Sequence, residues 1–224
     1  MPRARFSPLA GITRSDQPWV TWSIMALCVV VYVLQMLPGS TVTNTLAYVA
    51  AFPWAASEPW RMITYAFVHG GLAHIGLNML SLFLFGPLLE RSLGRIRYVA
   101  LYLVSALGGA VAVLLLSPGG SVVGASGAIF GLLGAVFIIQ RRMGGNTSQL
   151  LVIIVLNLAI GFFPGTNISW QGHLGGLVAG AAVAFVYLRT RNRSQRPLQV
   201  VLVGLVAALL VVITAIRLVV AVLA

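Results

Sequence analysis

The sequence lacks most of the ionisable side chains that a water-soluble protein carries. Its 224 residues include no lysine, only three acids and a single cysteine, whereas 59% are hydrophobic and 8% are charged. Soluble domains average about 25% charged residues, so we expect a polytopic membrane protein. The lone Cys28 excludes a disulfide framework and a cysteine-ligated metal within one chain. We expect no cofactor and no metal.

Seven apolar segments approach the length of about 20 residues that a membrane-spanning helix requires. They cover residues 19–37, 73–89, 96–116, 125–140, 149–163, 172–188 and 198–223. The sequence therefore predicts an all-α polytopic membrane protein, in which a seventh, C-terminal transmembrane helix follows a six-helix bundle. The predicted parts are a short basic cytoplasmic tail (1–18), the six-helix core (19–190), and a linker with the seventh helix (191–224).

The arginines fall mainly on one side of this predicted topology. Twelve of the fourteen lie in the tail or after the second, fourth and sixth segments: Arg3, Arg5, Arg14, Arg91, Arg95, Arg97, Arg141, Arg142, Arg189, Arg191, Arg193 and Arg196. The positive-inside rule places that side in the cytoplasm. We therefore expect a cytoplasmic N-terminus and an outer C-terminus, and we interpret the net charge of +11 as a topology signal for a protein in a lipid bilayer. Nucleic acid is not an expected partner.

The long outer loop, residues 38–72, is the one connection that exceeds the usual loop length. Its stretch 46–54 is apolar and aromatic, which predicts a short amphipathic helix in the membrane interface. Trp60 and Arg61 follow, placing an aromatic ring and a cation where the headgroups begin.

Five polar residues share the outer leaflet in this topology. His69, His74 and Asn78 lie at the start of the second segment, Ser126 at the start of the fourth and His173 at the start of the sixth. Polar groups inside a membrane are costly and commonly functional. Their shared location predicts an outward-facing site.

A serine nucleophile needs a base within reach and hydrogen-bond donors for the oxyanion that forms on attack. His173 is the candidate base for Ser126. Glycines spaced four apart line one face of each helix and permit close packing, at Gly127 and Gly131 on one helix and Gly172, Gly176 and Gly180 on the other. The turn Gly124-Ala-Ser-Gly127 places backbone N–H groups at a helix N-terminus, where negative charge is favoured.

His74 and Asn78 are one helical turn apart and therefore share a face. An imidazole and a carboxamide can both donate to an oxyanion, so both are candidate oxyanion donors. His69 precedes Gly70 and Gly71, which predicts a loop position and a structural role.

Together these residues resemble the rhomboid family of intramembrane serine proteases. The resemblance rests on His69-x4-His74-x3-Asn78, on Gly124-Ala-Ser126-Gly127, on Gly172-His173, on Trp60-Arg61, and on Glu90-Arg91 with Gly94. It covers about residues 19–190, and the extra C-terminal helix resembles the six-plus-one variety. The resemblance implies a rhomboid-like fold with Ser126 as nucleophile and His173 as general base. It also implies an oxyanion hole formed by His74, Asn78 and backbone N–H groups near Gly124 and Ser126.

The sequence also indicates a dyad rather than a triad. Asp16 and Glu90 fall on the cytoplasmic side, which leaves Glu58 as the only acid near the candidate site. Without an orienting carboxylate we expect slow hydrolysis, since its loss in triad proteases lowers turnover by about 10⁴.

The expected substrate is a transmembrane segment of another protein, cleaved near the outer face at a stretch of weak helix propensity. The aromatic residues Phe162, Phe163 and Trp170, which flank the loop after the short fifth segment, suit a movable gate. The all-arginine basic set fits a bacterial inner membrane.

Other interpretations of the same residues remain open. Ser126 is also a natural helix N-cap, His74 and Asn78 also suit interhelical hydrogen bonds, and Glu90-Arg91 suits a cytoplasmic anchor. A zinc protease would need His-Glu-x-x-His, which the sequence lacks. A non-catalytic rhomboid-like chaperone or scaffold, or a transporter with intramembrane histidines, are the alternative functions.

Overall fold

The computed structural model describes residues 17–51, 53–163, 166 and 168–223. Residues 1–16, most of the predicted basic tail, lie outside this described part. The elements in chain order are α1 (Trp19–Gln35), α2 (Val42–Leu46), β1 (Tyr48–Val49), α3 (Trp54–Ser57), α4 (Arg61–Thr64), α5 (Leu72–Leu93), α6 (Arg95–Leu116), β2 (Ser121–Val122), α7 (Ser126–Arg142), α8 (Ser148–Ile160), α9 (Trp170–Arg189) and α10 (Arg196–Leu223).

Each of the seven apolar segments predicted from the sequence forms a helix. Within the described residues, four helical stretches are long and apolar enough to cross a membrane, namely Leu72–Leu93, Arg95–Leu116, Trp170–Arg189 and Arg193–Leu223. α1 and α8 are shorter apolar helices of 17 and 13 residues. The protein is therefore a multi-pass membrane protein with a helical fold.

The amphipathic helix predicted over residues 46–54 is wrong. α2 ends at Leu46 and β1 follows it, pairing antiparallel with β2 so that Tyr48 lies opposite Val122. The backbone groups of this stretch bond to other parts of the loop, because the Ala47 carbonyl oxygen accepts from Arg61 and the Leu46 carbonyl oxygen accepts from Thr64. Long-range partners therefore replace the internal hydrogen bonds of a helix.

Glu90 joins α1 to the far end of α5. Its buried carboxylate accepts hydrogen bonds from the Val20 N–H at 2.9 Å and from the Thr21 N–H and hydroxyl, both at 2.7 Å. These N–H groups belong to the first turn of α1, which has no intrahelical acceptor for them. A carboxylate there also complements the positive end of the helix dipole. Its neighbour Arg91 is exposed.

Glycines bring α6, α7 and α9 into backbone contact. A Cβ atom placed on Gly176 would overlap the Gly127 carbonyl oxygen, and one on Gly180 would overlap the Gly131 carbonyl oxygen. α6 joins this contact, because a Cβ on Gly109 would lie 3.0 Å from the Gly172 carbonyl oxygen. Side chains any larger would hold the three helices apart, so these glycines set the distance between α7 and α9.

A polar cluster at the start of α10 fastens this helix to the core. Gln199 donates to the carbonyl and hydroxyl oxygens of Thr190 and accepts from Arg97 on α6 at 2.5 Å. Tyr187 on α9 donates to the Arg97 carbonyl oxygen. α10 thus contacts α6 and α9.

Candidate active site

Ser126 is the first residue of α7 and follows a backbone turn that only glycine adopts easily. Gly124 has φ +116°, and its N–H donates to the Tyr65 carbonyl oxygen at 2.9 Å. This bond ties the turn to the 3-10 segment Tyr65–Phe67. The N–H groups of the first turn of α7, including that of Ser126, have no intrahelical acceptor.

One predicted role of Gly124 is therefore wrong. Its N–H was expected to face an oxyanion, but that hydrogen is committed to Tyr65. Gly124 instead makes room for His74, since a Cβ atom at this position would lie 2.5 Å from His74 Nε2 and 3.6 Å from Ser126 Oγ. The N–H of Ser126 is a backbone donor at the turn that has no intrahelical acceptor.

The ring of His74 is oriented by the glycine turn before α5. Its Nδ1 accepts a hydrogen bond from the Gly70 N–H at 3.3 Å. A neutral imidazole that accepts through Nδ1 carries its proton on Nε2. The proton-bearing nitrogen thus lies against Gly124, in the turn that precedes Ser126.

Asn78 lies one turn further along α5 and is buried. Its Nδ2 donates to the His74 carbonyl oxygen at 3.0 Å. A carboxamide nitrogen has two hydrogens, so this bond leaves one for a ligand. His74 and Asn78 thus present two donors on the same helix face.

His173 lies in the first turn of α9, and its ring is buried. It stacks on Phe130 of α7, with ring centroids 4.1 Å apart and planes inclined by 11°. Nδ1 of His173 has no hydrogen-bond partner among the described residues. The ring is therefore oriented by aromatic packing rather than by a carboxylate.

Sequence reasoning missed Phe130. An apolar residue in an apolar helix carries no signature of its own, although Phe130 lies four residues after Ser126 and so shares its helix face. That spacing is the signal that would have found it.

Ser126, His173, His74 and Asn78 line one cavity of about 680 Å³, together with Gly70 and Gly71. Residues from α5, α7, α8 and α9 form its walls. None of the described residues that line it is acidic. Glu58, the acid that the sequence predicts on the same side of the membrane, forms an ion pair with Arg61 instead.

Residues of the long outer loop are held by hydrogen bonds and ring contacts, and one of them contacts His74. Arg61 is buried and holds the loop through Ala47, whereas Trp60 is exposed. His69 is buried in the loop before α5 and meets His74 edge to face, with centroids 5.3 Å apart. The Gln35 carboxamide forms two hydrogen bonds with the His69 backbone. It accepts from the His69 N–H and donates to the His69 carbonyl oxygen, both at 3.0 Å. Gln35 was not predicted from the sequence.

The predicted gate residues Phe162, Phe163 and Trp170 are not among the residues that line the cavity. Phe162 stacks on Trp170 with ring centroids 4.6 Å apart, and Phe163 is exposed. Thr166, Ile168 and Ser169, which lie between Phe163 and Trp170 in the sequence, do line the cavity.

Comparison with known proteins agrees with the resemblance. Residues 56–190 match the family model described as Rhomboid domain. Rhomboid protease GluP of Bacillus subtilis is 37% identical over 180 residues, which cover 76% of this chain and 35% of that protein. Putative rhomboid protease YdcA of the same organism is 34% identical over 183 residues, covering 79% and 92%. Rhomboid protease GlpG of Haemophilus influenzae is 29% identical over 187 residues, covering 80% and 96%.

The extent of these matches differs between relatives. The chain spans 35% to 45% of the length of GluP and of the RHOMBOID-like proteins 5 and 1 of Arabidopsis thaliana. It spans nearly all of YdcA. Because the family model covers more than half of the chain and YdcA aligns over almost its whole length, this chain belongs to the rhomboid family.

Proposed function

We propose that this protein is an intramembrane serine endopeptidase that uses Ser126 as nucleophile and His173 as general base. One observation carries the proposal. A serine at a helix N-terminus, a histidine without a carboxylate partner, and the two donor side chains of His74 and Asn78 line a single cavity in a membrane protein. Relatives named as rhomboid proteases support the same activity.

The chemistry follows from this arrangement. Ser126 Oγ attacks the carbonyl carbon of the scissile bond while a ring nitrogen of His173 takes the hydroxyl proton. The oxyanion that forms accepts hydrogen bonds from His74 Nε2–H, the second Nδ2–H of Asn78 and the Ser126 N–H. His173 returns the proton to the leaving amine. Water then attacks the acyl enzyme, giving its proton to His173, and Ser126 is regenerated.

The same arrangement favours slow turnover. In a Ser-His-Asp triad the carboxylate fixes the imidazole tautomer and stabilises the imidazolium. His173 Nδ1 faces no such group among the described residues, and the Phe130 ring supplies orientation without charge. The orientation of the His173 ring is retained, whereas no carboxylate among the described residues stabilises its imidazolium form.

The substrate in this proposal is a transmembrane segment of another protein, cleaved near the outer face of a bacterial inner membrane. The arginine distribution favours a cytoplasmic N-terminus and an outer C-terminus, which puts the cavity on the outer side. Water reaches the cavity from that side, and the stacked pair Phe162 and Trp170, with Phe163 beside it, acts as the gate.

Purified protein tests the assignment with a model transmembrane substrate in detergent or liposomes. Ser126→Ala and His173→Ala should each abolish cleavage, and a fluorophosphonate probe should label the wild type but not Ser126→Ala. Ser92→Ala is a matched control, because Ser92 is half-buried at the opposite end of α5 and its hydroxyl donates to the Leu88 carbonyl oxygen one turn earlier. Full cleavage by either dyad variant would refute the roles assigned to Ser126 and His173, whereas a wild type that neither cleaves the substrate nor labels with the probe would favour a non-catalytic scaffold or transporter.

A further inference from the structure

Asn157 is a polar residue in the apolar stretch of α8. All residues of this helix from Leu150 to Ile160 except Asn157 are hydrophobic. The Asn157 side chain is exposed rather than packed in the bundle. A carboxamide facing lipid is unfavourable, and intramembrane polar groups normally pair with another group or mark a ligand pathway. Asn157 therefore needs an explanation that bundle packing does not give.

The carboxamide is only partly satisfied. Its Nδ2 donates to the Ile153 carbonyl oxygen one turn earlier, at 2.8 Å. Its Oδ1, which can accept two hydrogen bonds, accepts none from the described residues. α8 packs on α7 and α9 through the buried residues Leu150 and Ile154. Asn157 thus forms no interhelical bond that would account for it as a packing residue.

The position of Asn157 relates it to the candidate active site. It lines the same cavity as Ser126 and His173, with Ile153 beside it. The part of the lining that α5 contributes contains Leu77, Asn78 and Ser81. Ser81 donates to the Leu77 carbonyl oxygen of its own helix at 2.9 Å, so its hydroxyl oxygen keeps lone pairs that can accept hydrogen bonds. Two side chains with spare acceptor capacity, one on α5 and one on α8, therefore line the same cavity.

We propose that Asn157 and Ser81 form a substrate subsite that accepts hydrogen bonds from the backbone N–H groups of an unwound stretch of the transmembrane substrate. The proposal rests on the protease function above. Unwinding a helix frees N–H groups that find no partner in lipid, at several kcal/mol each. Acceptors in the cavity that contains the nucleophile offset that loss only for a segment that opens there. The subsite thus binds the backbone of the opened segment rather than one of its side chains.

Asn157→Leu tests the subsite, because leucine has a similar size and suits a lipid-facing helix position. We expect kcat/KM for a model transmembrane substrate to fall by about tenfold, the value of one hydrogen bond. The rate of fluorophosphonate labelling of Ser126 should stay at the wild-type value, because the probe has no segment that reaches Asn157. Asn157→Gln, which retains the acceptor, should recover most of the loss.

A relocation variant gives the matched control. Leu156 is exposed on α8 but does not line the cavity, so Leu156→Asn combined with Asn157→Leu moves the carboxamide without removing it. This double variant should cleave as poorly as Asn157→Leu. Recovery of cleavage in it, or wild-type kcat/KM in Asn157→Leu, would overturn the subsite.

A parallel loss of cleavage and probe labelling in Asn157→Leu would also overturn it, because that result indicates a structural role. Failure of the proposed function appears differently, as a wild type that neither cleaves substrate nor labels with the probe.

Discussion

Gly124 controls the candidate active site at the scale of a single residue. It places Ser126 at the start of α7 through a positive φ, and it leaves the space that the His74 ring fills. Its N–H also fixes the turn to Tyr65. The residue contributes no catalytic atom, yet two of the proposed oxyanion donors depend on its lack of a side chain.

Gly124→Ala should therefore impair activity more than stability. The new methyl group would displace His74 Nε2, and loss of one oxyanion donor lowers kcat by about 10² to 10³. Gly119→Ala is the control, since Gly119 also has a positive φ, +83°, but no atom lies within 4 Å of a Cβ there. Cleavage assays on both variants at matched folded fraction separate the two effects. Equal losses would show that backbone strain, not His74, is responsible.

Sequence reasoning identified some residues of the candidate site and missed others, for physical reasons. Ser126, His173, His74 and Asn78 are polar residues in apolar segments, so their retention is itself a signal, and the structure places them in one cavity. Phe130 and Gln35 carry no such signal, because an aromatic ring in an apolar helix and an amide near a helix end are ordinary. The Gly124 prediction failed because the direction of an N–H depends on turn geometry, which composition does not encode.

At the scale of elements, the glycine contacts between α7 and α9 hold the candidate dyad helices together. The pairs Gly127 with Gly176 and Gly131 with Gly180 lie along the two facing helices, below Ser126 and His173. In lipid, where apolar burial adds little, close van der Waals packing and weak polar contacts drive helix association. The four-residue spacing predicted these helix faces, whereas the third helix in the contact, α6, was not predicted.

Gly176→Ala should separate α7 from α9 and lower both thermal stability and cleavage. A Cβ there would overlap the Gly127 carbonyl oxygen, which belongs to backbone and has little freedom to move. Overpacking of this kind typically costs about 1–3 kcal/mol. Gly204→Ala on α10 provides the control, because nothing lies within 4 Å of a Cβ at that position.

The control should keep or raise thermal stability, since alanine exceeds glycine in helix propensity by about 1 kcal/mol. Thermal unfolding of both variants in the same detergent measures the difference. A Gly176→Ala protein as stable as the wild type would contradict close backbone contact between the helices.

The outer loop illustrates where prediction of elements ends. The seven long helices follow from apolar length alone, and each forms. The shape of residues 38–72 depends instead on partners distant in sequence, such as β2 for β1 and Arg61 for Ala47. The apolar and aromatic pattern of residues 46–54 predicts a helix, but hydrogen bonds to residues distant in sequence stabilise a different conformation.

At the scale of the whole molecule, acids are scarce, so protonation of buried histidine is a main way in which pH changes the free energy of unfolding. His69 lies in the loop before α5, and both of its ring nitrogens are buried without hydrogen-bond partners among the described residues. Burial, together with the nearby His74, lowers the pKa of His69 to about 4 from its ordinary value of 6.5. The folded protein therefore keeps this ring neutral under conditions where the unfolded chain protonates it.

The sign of the resulting pH dependence is fixed by linkage. Between pH 6.5 and 4 the unfolded state binds the proton at His69 more readily than the folded state, so the free energy of unfolding falls as the pH falls. Below about pH 4 both states are protonated and this contribution is exhausted.

His69→Phe retains a buried ring of similar shape and removes the proton site. The variant should therefore lose less thermal stability than the wild type between pH 6.5 and 4. Melting temperatures in detergent across pH 4 to 8.5 test this, and the two curves should run parallel above pH 7, where His69 is neutral in both states. Parallel curves over the whole range would show that His69 does not link protonation to folding.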